Sequence, residues 1–118
     1  MHGTRVRSCT QLSIIPSIDV NDVLLVGTVV EIGRVKTDPA TMKPVLRLRM
    51  RTLPGPVADG ECHMVVCRGE LAWVTEATVK PGRRIEVTGA LKTRFNERVN
   101  GAASFVCEII AESIRRGE

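Results

Sequence analysis

Five β-strands with one short helix between the third and the fourth is the all-β arrangement this sequence predicts, and three observations predict it. Glu61 to Arg94 reads in order as strand, short amphipathic helix, Pro-Gly turn and strand, and it runs into a basic stretch. Val45 to Leu53 alternates apolar and arginine residues, the period-two pattern of a half-buried strand. Gly27 and Gly89 sit in mid-strand, where a small barrel needs bends to turn its corners. A helix between strands three and four, plugging the open end of a partly open five-stranded Greek-key barrel, is the order of the OB fold.

In chain order, residues 1–21 form an N-terminal arm. Its Ser13-Ile14-Ile15-Pro16-Ser17-Ile18 run is apolar but interrupted by Pro16. It suits an edge strand, a segment docked on a neighbouring subunit, or an arm lying on its own barrel. The OB domain spans 22–114. Val23 to Ile32 is rich in β-branched and apolar residues and reads as a first strand buried on both faces. Gly33 to Pro44 is loop, with a turn at Thr37-Asp38-Pro39. The second strand puts Leu46, Leu48 and Met50 on one face and Arg47, Arg49 and Arg51 on the other. Pro54-Gly55-Pro56 ends it, and Asp59-Gly60 turns into the third strand. Glu70 to Val79 has helical spacing, with Leu71, Trp73, Val74 and Ala77 facing inward, and Lys80-Pro81-Gly82 stops it. Arg84 to Thr93 is the fourth strand. Asn100-Gly101 marks the last hairpin, within a loop from Arg94 to Ala102. Ala103 to Ala111 is the fifth strand, with Phe105, Cys107 and Ile109 on one face. Trp73 and Phe105 are both expected in the core. Residues 115–118 are a short charged C-terminal end.

The 118 residues suffice for one domain with its own core. With 43% hydrophobic and 25% charged residues the composition is that of an ordinary folded protein. No apolar run approaches the ~20 residues of a membrane helix, and no long hydrophobic stretch follows the N-terminal arginines as in a secretory signal. The expectation is an intracellular protein with no membrane partner. The net charge of +4 suits an anionic partner, nucleic acid better than an acidic small substrate. Four cysteines, Cys9, Cys62, Cys67 and Cys107, raise the question of a metal or disulfide framework. Strand alternation points Cys62 and Cys67 to opposite sides, so they cannot share a tetrahedral ion; reduced, structural thiols and no cofactor are expected. His63 reads as a surface or packed strand residue. No phosphate-cradling glycine loop, nucleophile elbow or partnered carboxylates point to catalysis, so no enzyme is predicted.

Three segments carry a family resemblance. Asn21 to Gly27 resembles the opening strand of bacterial-type single-stranded-DNA-binding proteins. Glu61 to Ala72 is similar to their third strand running into the helix, and Lys80 to Leu91 to their fourth strand. The likeness covers roughly Asn21 to Ile110. That family stacks bases on aromatic side chains of the third strand and of the hairpin after the fourth. Here those positions hold Cys62, Arg68 and Asn96, and only Phe95 stands beside a platform position. The family's long tail with an acidic tip has no counterpart in the sequence. Such erosion is similar to that of primosomal replication protein N and of the OB-fold proteins of the kinetoplastid mitochondrial RNA-editing complex, which bind one another as well as RNA. The resemblance implies a non-catalytic subunit of a multi-protein nucleic-acid-processing assembly, with other OB-fold subunits as homo- or hetero-oligomeric partners. The compartment implied is the mitochondrial matrix for an editing-complex relative, and the cytoplasm or nucleoid for a divergent bacterial-type member.

Aromatic stacking contributes about 1–3 kcal/mol per base, so a chain with one platform residue must rely on charge. Arg47, Arg49 and Arg51 project at intervals of about 6.6–6.8 Å along one strand face, and guanidinium groups both fork onto phosphates and stack on bases. Arg34, Lys36 and Lys43 in the first loop flank that stripe, as do Arg68 at the end of the third strand and Lys92, Arg94, Phe95 and Arg98 in the last hairpin. The expected partner is single-stranded RNA or DNA, with no small-molecule substrate. A solvated sheet face, or an edge kept basic against aggregation, is the alternative for the stripe. A protein–protein scaffold is the alternative for the chain.

Overall fold

Alternation along the best-patterned strand decides where the core lies. The computed structural model describes residues 13–15, 17–53, 60–97 and 103–117. Its elements are β1 (Val23–Ile32), β2 (Lys36–Thr37), β3 (Pro44–Thr52), β4 (Glu61–Arg68), α1 (Glu70–Thr78), β5 (Arg84–Glu97) and β6 (Ala103–Arg116). Leu46, Leu48 and Met50 of β3 are fully buried, while Arg47, Arg49 and Arg51 face out. Against them pack Val65 and Cys67 of β4, Ile85 and Val87 of β5, Val29 of β1 and Ile109 of β6. Burial holds the Cys67 thiol above its usual pKa.

The strands form one sheet in the order β1-β5-β6-β4-β3-β2, and an additional β1–β3 pairing closes it into a barrel. Among the described residues all pairings are antiparallel except β4 with β6, where Val65 lies beside Ile109 and Val66 beside Ile110. Five barrel strands with the helix between the third and fourth of them is the predicted OB order.

Glycines stand where strands cross most closely. A Cβ on Gly89 would lie 2.1 Å from the Ile110 carbonyl oxygen, and one on Gly27 would lie 2.2 Å from that of Arg51. Gly27 therefore admits a neighbouring backbone; the β1 bulge itself falls between Val29 and Glu31.

Several elements differ from the sequence reading. β1 is not buried on both faces: Leu24, Val26 and Val30 are 63%, 49% and 43% exposed on its outer side. An apolar run fits a two-sided strand and a strand with one unpartnered apolar face equally well. The expected loop from Gly33 to Pro44 contains β2, which pairs Lys36 with Val45 and Thr37 with Pro44. The helix buries Ala72 and Thr75, with Val79 just beyond its end, and leaves Trp73 and Val74 more than half exposed. Small residues face the barrel because the plug must sit close to its mouth, which leaves no room for an indole. Phe105 is 73% exposed rather than core, because β5 and β6 run past the end of the barrel.

β6 continues to Arg116, so the start of the expected charged end at 115–118 is strand, and Arg115 forks onto Glu86 of β5 at 2.9 and 3.0 Å. That guanidinium holds the Glu86 carboxyl below the usual carboxylate range. The arm residues 13–15 and 17–20 adopt no helix or strand. At its end the Asn21 side chain accepts from the Leu91 N–H and donates to its carbonyl, both at 2.9 Å, extending the β1–β5 pairing by one step.

Replacing Gly89 with alanine forces the β5–β6 backbones apart and destabilises the fold by at least about 2 kcal/mol. Gly82→Ala meets open space and only a left-handed φ of 88°, costing about 1–2 kcal/mol. Urea unfolding of the two variants checks the order.

Candidate functional site

The outward face of β3 and β4 is built by register. Arg47 lies opposite Val66, Arg49 opposite Met64, Arg51 opposite Cys62, and Val45 opposite Arg68. The arginines are exposed, but Val45 and Val66 on the same face are only 9% and 2% exposed. They floor a groove of about 340 Å³ between this face and the loop that follows β1. Arg34 and Lys36 from the loop, Arg47 from β3 and Arg68 from β4 rim it. The loop's position is fixed from the helix side, because Glu76 accepts a hydrogen bond from the Val35 N–H at 2.8 Å.

One residue in this groove escaped the sequence reading. Glu108 of β6 is 3% exposed and lines the groove. Its Oε2 accepts a hydrogen bond from Arg47 Nε at 3.3 Å, and its Oε1 lies 3.3 Å from Arg94 Nε. Lys92 lies opposite it across the β5–β6 pair. Burying a carboxylate without partners would cost several kcal/mol, and two guanidinium groups supply them. Both arginines keep their Nη donors for other work, since the contacts to Glu108 run through Nε. Alternation puts Glu108 on the face opposite Phe105, Cys107 and Ile109, but does not say what covers that face. Only the parallel β4–β6 pairing, invisible in a single strand pattern, brings it under Arg47.

The predicted binding residues thus separate into groups. Arg34, Lys36, Arg47 and Arg68 share the groove, and Arg94 joins them through Glu108. Arg49 is exposed and paired with Glu31 of β1, so it presents less net charge than the stripe suggests. Arg51 continues the row beside Cys62. Lys43 is exposed in the β2–β3 turn and does not line the groove. Arg98 lies outside the described residues.

Phe95 stands apart from the other residues of the last hairpin. It is 56% exposed, but it points to the opposite face of the β5–β6 ribbon from Lys92 and Arg94, pairing with Phe105. The two rings meet edge to face, centroids 5.5 Å apart at 65°. The hairpin's aromatic and cationic residues therefore serve two different surfaces.

Among the described residues no three His, Cys, Asp or Glu side chains gather as a metal group, and no helix is long and apolar enough to cross a membrane. His63 packs on Thr52, ring nitrogen to hydroxyl at 3.0 Å.

No protein-family model matches the sequence, and no curated protein does. Among solved structures, Plasmodium falciparum SSB in a complex with ssDNA is similar, with a TM-score of 0.72 and 19% identity over 88% of this chain and 100% of that one. That likeness establishes the OB fold.

Cys62 and Cys107 are exposed and Cys67 is buried. Native-state alkylation followed by mass spectrometry should modify Cys62 and Cys107 within minutes and reach Cys67 only after unfolding.

Proposed function

We propose that this OB barrel binds single-stranded nucleic acid across the outer face of β3 and β4, mainly through phosphate contacts. The observation that carries the reading is the groove itself. Four cationic side chains rim an apolar floor, on the strand face and first loop with which OB barrels grip oligonucleotides. The shared fold with an SSB whose structure holds ssDNA supports it. Single-stranded DNA is the partner this favours, and RNA suits the same charges.

Substituting Arg47, Arg49 and Arg51 together with glutamine tests the proposal. Glutamine is chosen because a carboxylate at position 47 would face Glu108. Measured by fluorescence anisotropy with a labelled oligonucleotide, log affinity against log salt should lose about 0.7 in slope per phosphate contact removed. A total loss near 2 is expected, with the circular dichroism of the barrel unchanged. A wild-type affinity that does not respond to salt would sink the charge-driven reading.

A second reading, membership of a multi-subunit assembly such as an RNA-editing complex in the mitochondrial matrix, rests on the sequence resemblance and on one surface. Leu24, Val26 and Val30 form an exposed apolar row on β1, the type of stripe a partner barrel covers. Leu24→Glu with Val26→Glu should lower the mass seen by light scattering to that of one chain while leaving oligonucleotide binding within about threefold. A wild-type protein that is already one chain at high concentration removes self-association.

A further inference from the structure

The groove holds a feature that phosphate binding does not need: a buried carboxylate at the floor of a cationic site. Glu108 partly neutralises Arg47 and Arg94 from beneath, which lowers the charge a phosphate would meet there. The floor beside it is apolar, made of Val45 and Val66, 9% and 2% exposed. A mainly polar groove with two valines in its floor, a fixed acceptor beside them and cations at its rim is complementary to a nucleobase inserted edge-first with its flanking phosphates outside. At about 340 Å³ the groove lies near the lower end of ligand-site volumes, which is room enough for a base.

The acceptor selects among bases. An ionised carboxylate only accepts hydrogen bonds, and its two oxygens offer about four acceptor positions. Arg47 and Arg94 each approach a different oxygen, so each oxygen retains capacity. Guanine presents two adjacent donors, N1–H and the 2-amino group, spaced for both oxygens of one carboxylate. Adenine and cytosine present one donor beside a ring-nitrogen lone pair, which a carboxylate repels. Thymine and uracil present one donor between two carbonyl oxygens. The groove's other acid, Asp38, is committed to its own turn, accepting from the Ala40 N–H at 3.0 Å.

We infer that the groove is a single-base pocket that prefers guanine, with Glu108 reading the base edge and Arg34, Lys36 and Arg68 holding the adjacent phosphates. The inference rests on the strand-binding function proposed above and adds a sequence preference that backbone charge cannot supply.

The test compares four labelled oligothymidylates of equal length in anisotropy titrations at one low salt concentration. One is all thymidine; the others carry a single central deoxyguanosine, deoxyinosine or deoxyadenosine. A two-donor contact to a base edge discriminates by roughly 5- to 150-fold, so the guanine oligonucleotide should bind at least about tenfold tighter than the thymidine or adenine ones. Inosine, which lacks the 2-amino donor, should lose most of that advantage. Glu108→Gln should bring the four affinities within about twofold of one another, because it removes the paired acceptor that distinguishes the bases. Equal wild-type binding of all four, or a guanine preference that survives Glu108→Gln, overturns the pocket and leaves strand binding standing. Failure of every oligonucleotide to bind even at low salt overturns the underlying function instead. The inosine comparison uses the wild-type protein alone, so it holds if the variant folds poorly.

Discussion

Among the described residues, two pairs, Val65 beside Ile109 and Val66 beside Ile110, make the only parallel contact in the sheet, and the closure of the barrel depends on it. Without that contact the strands would still join through β1, but as an open sheet in the order β6-β5-β1-β3-β4 with an uncovered apolar face. With it the inner sides of four strands meet around Leu46, Leu48, Met50, Val65, Val87 and Ile109. Parallel neighbours need a long crossover, and here α1 and β5 lie within it. The crossover helix is therefore free to cover the barrel end, and its small inward residues, Ala72 and Thr75, let it approach closely.

The same contact sets the electrostatics of the outer face. Residues that point inward beside Val65 and Ile109 have outward neighbours in Val66 and Glu108, so closing the barrel also slides a carboxylate beneath Arg47. Coulomb attraction at 3.3 Å is strong at this depth because water is excluded from the acid but not from the half-exposed arginines. Glu108 thereby anchors two guanidinium groups from separate hairpins at fixed positions. Guanidinium groups so held lose less side-chain entropy when they meet a ligand than free surface arginines do. A buried acid in a cationic groove thus lowers the total charge while raising the order of what remains.

How much of this was legible in the sequence follows from which interactions are local. The alternation of β3 is a property of neighbouring residues, and it placed Leu46, Leu48, Met50 and the three arginines correctly. The order of elements and the stop at Lys80-Pro81-Gly82 are local too. What failed depended on distant partners. Trp73 and Phe105 were assigned to the core by hydrophobicity, which records the preference for burial and not whether a neighbour is present to supply it. Proximity along the chain groups Phe95 with Lys92 and Arg94, whereas a period of two puts it on the opposite face of the ribbon. Glu108 could be placed only by knowing which strand lies beside β6.

The placement of Phe95 and Phe105 follows from the length of the last ribbon. On one face of β5 and β6 the inward stripe continues from buried Ile109 through Leu91, 47% exposed, to Phe95 and Phe105, 56% and 73% exposed. The stripe keeps its side of the sheet, but the barrel ends beneath it. A two-stranded ribbon beyond its sheet is only marginally stable in water, so it needs side-chain pairing of its own. The edge-to-face contact of these rings, directly opposite in register, contributes about 0.5–1.5 kcal/mol beyond burial. The chain's scarce aromatics thus stabilise the projecting hairpin, and the β3–β4 face is left to arginine, valine and one buried glutamate.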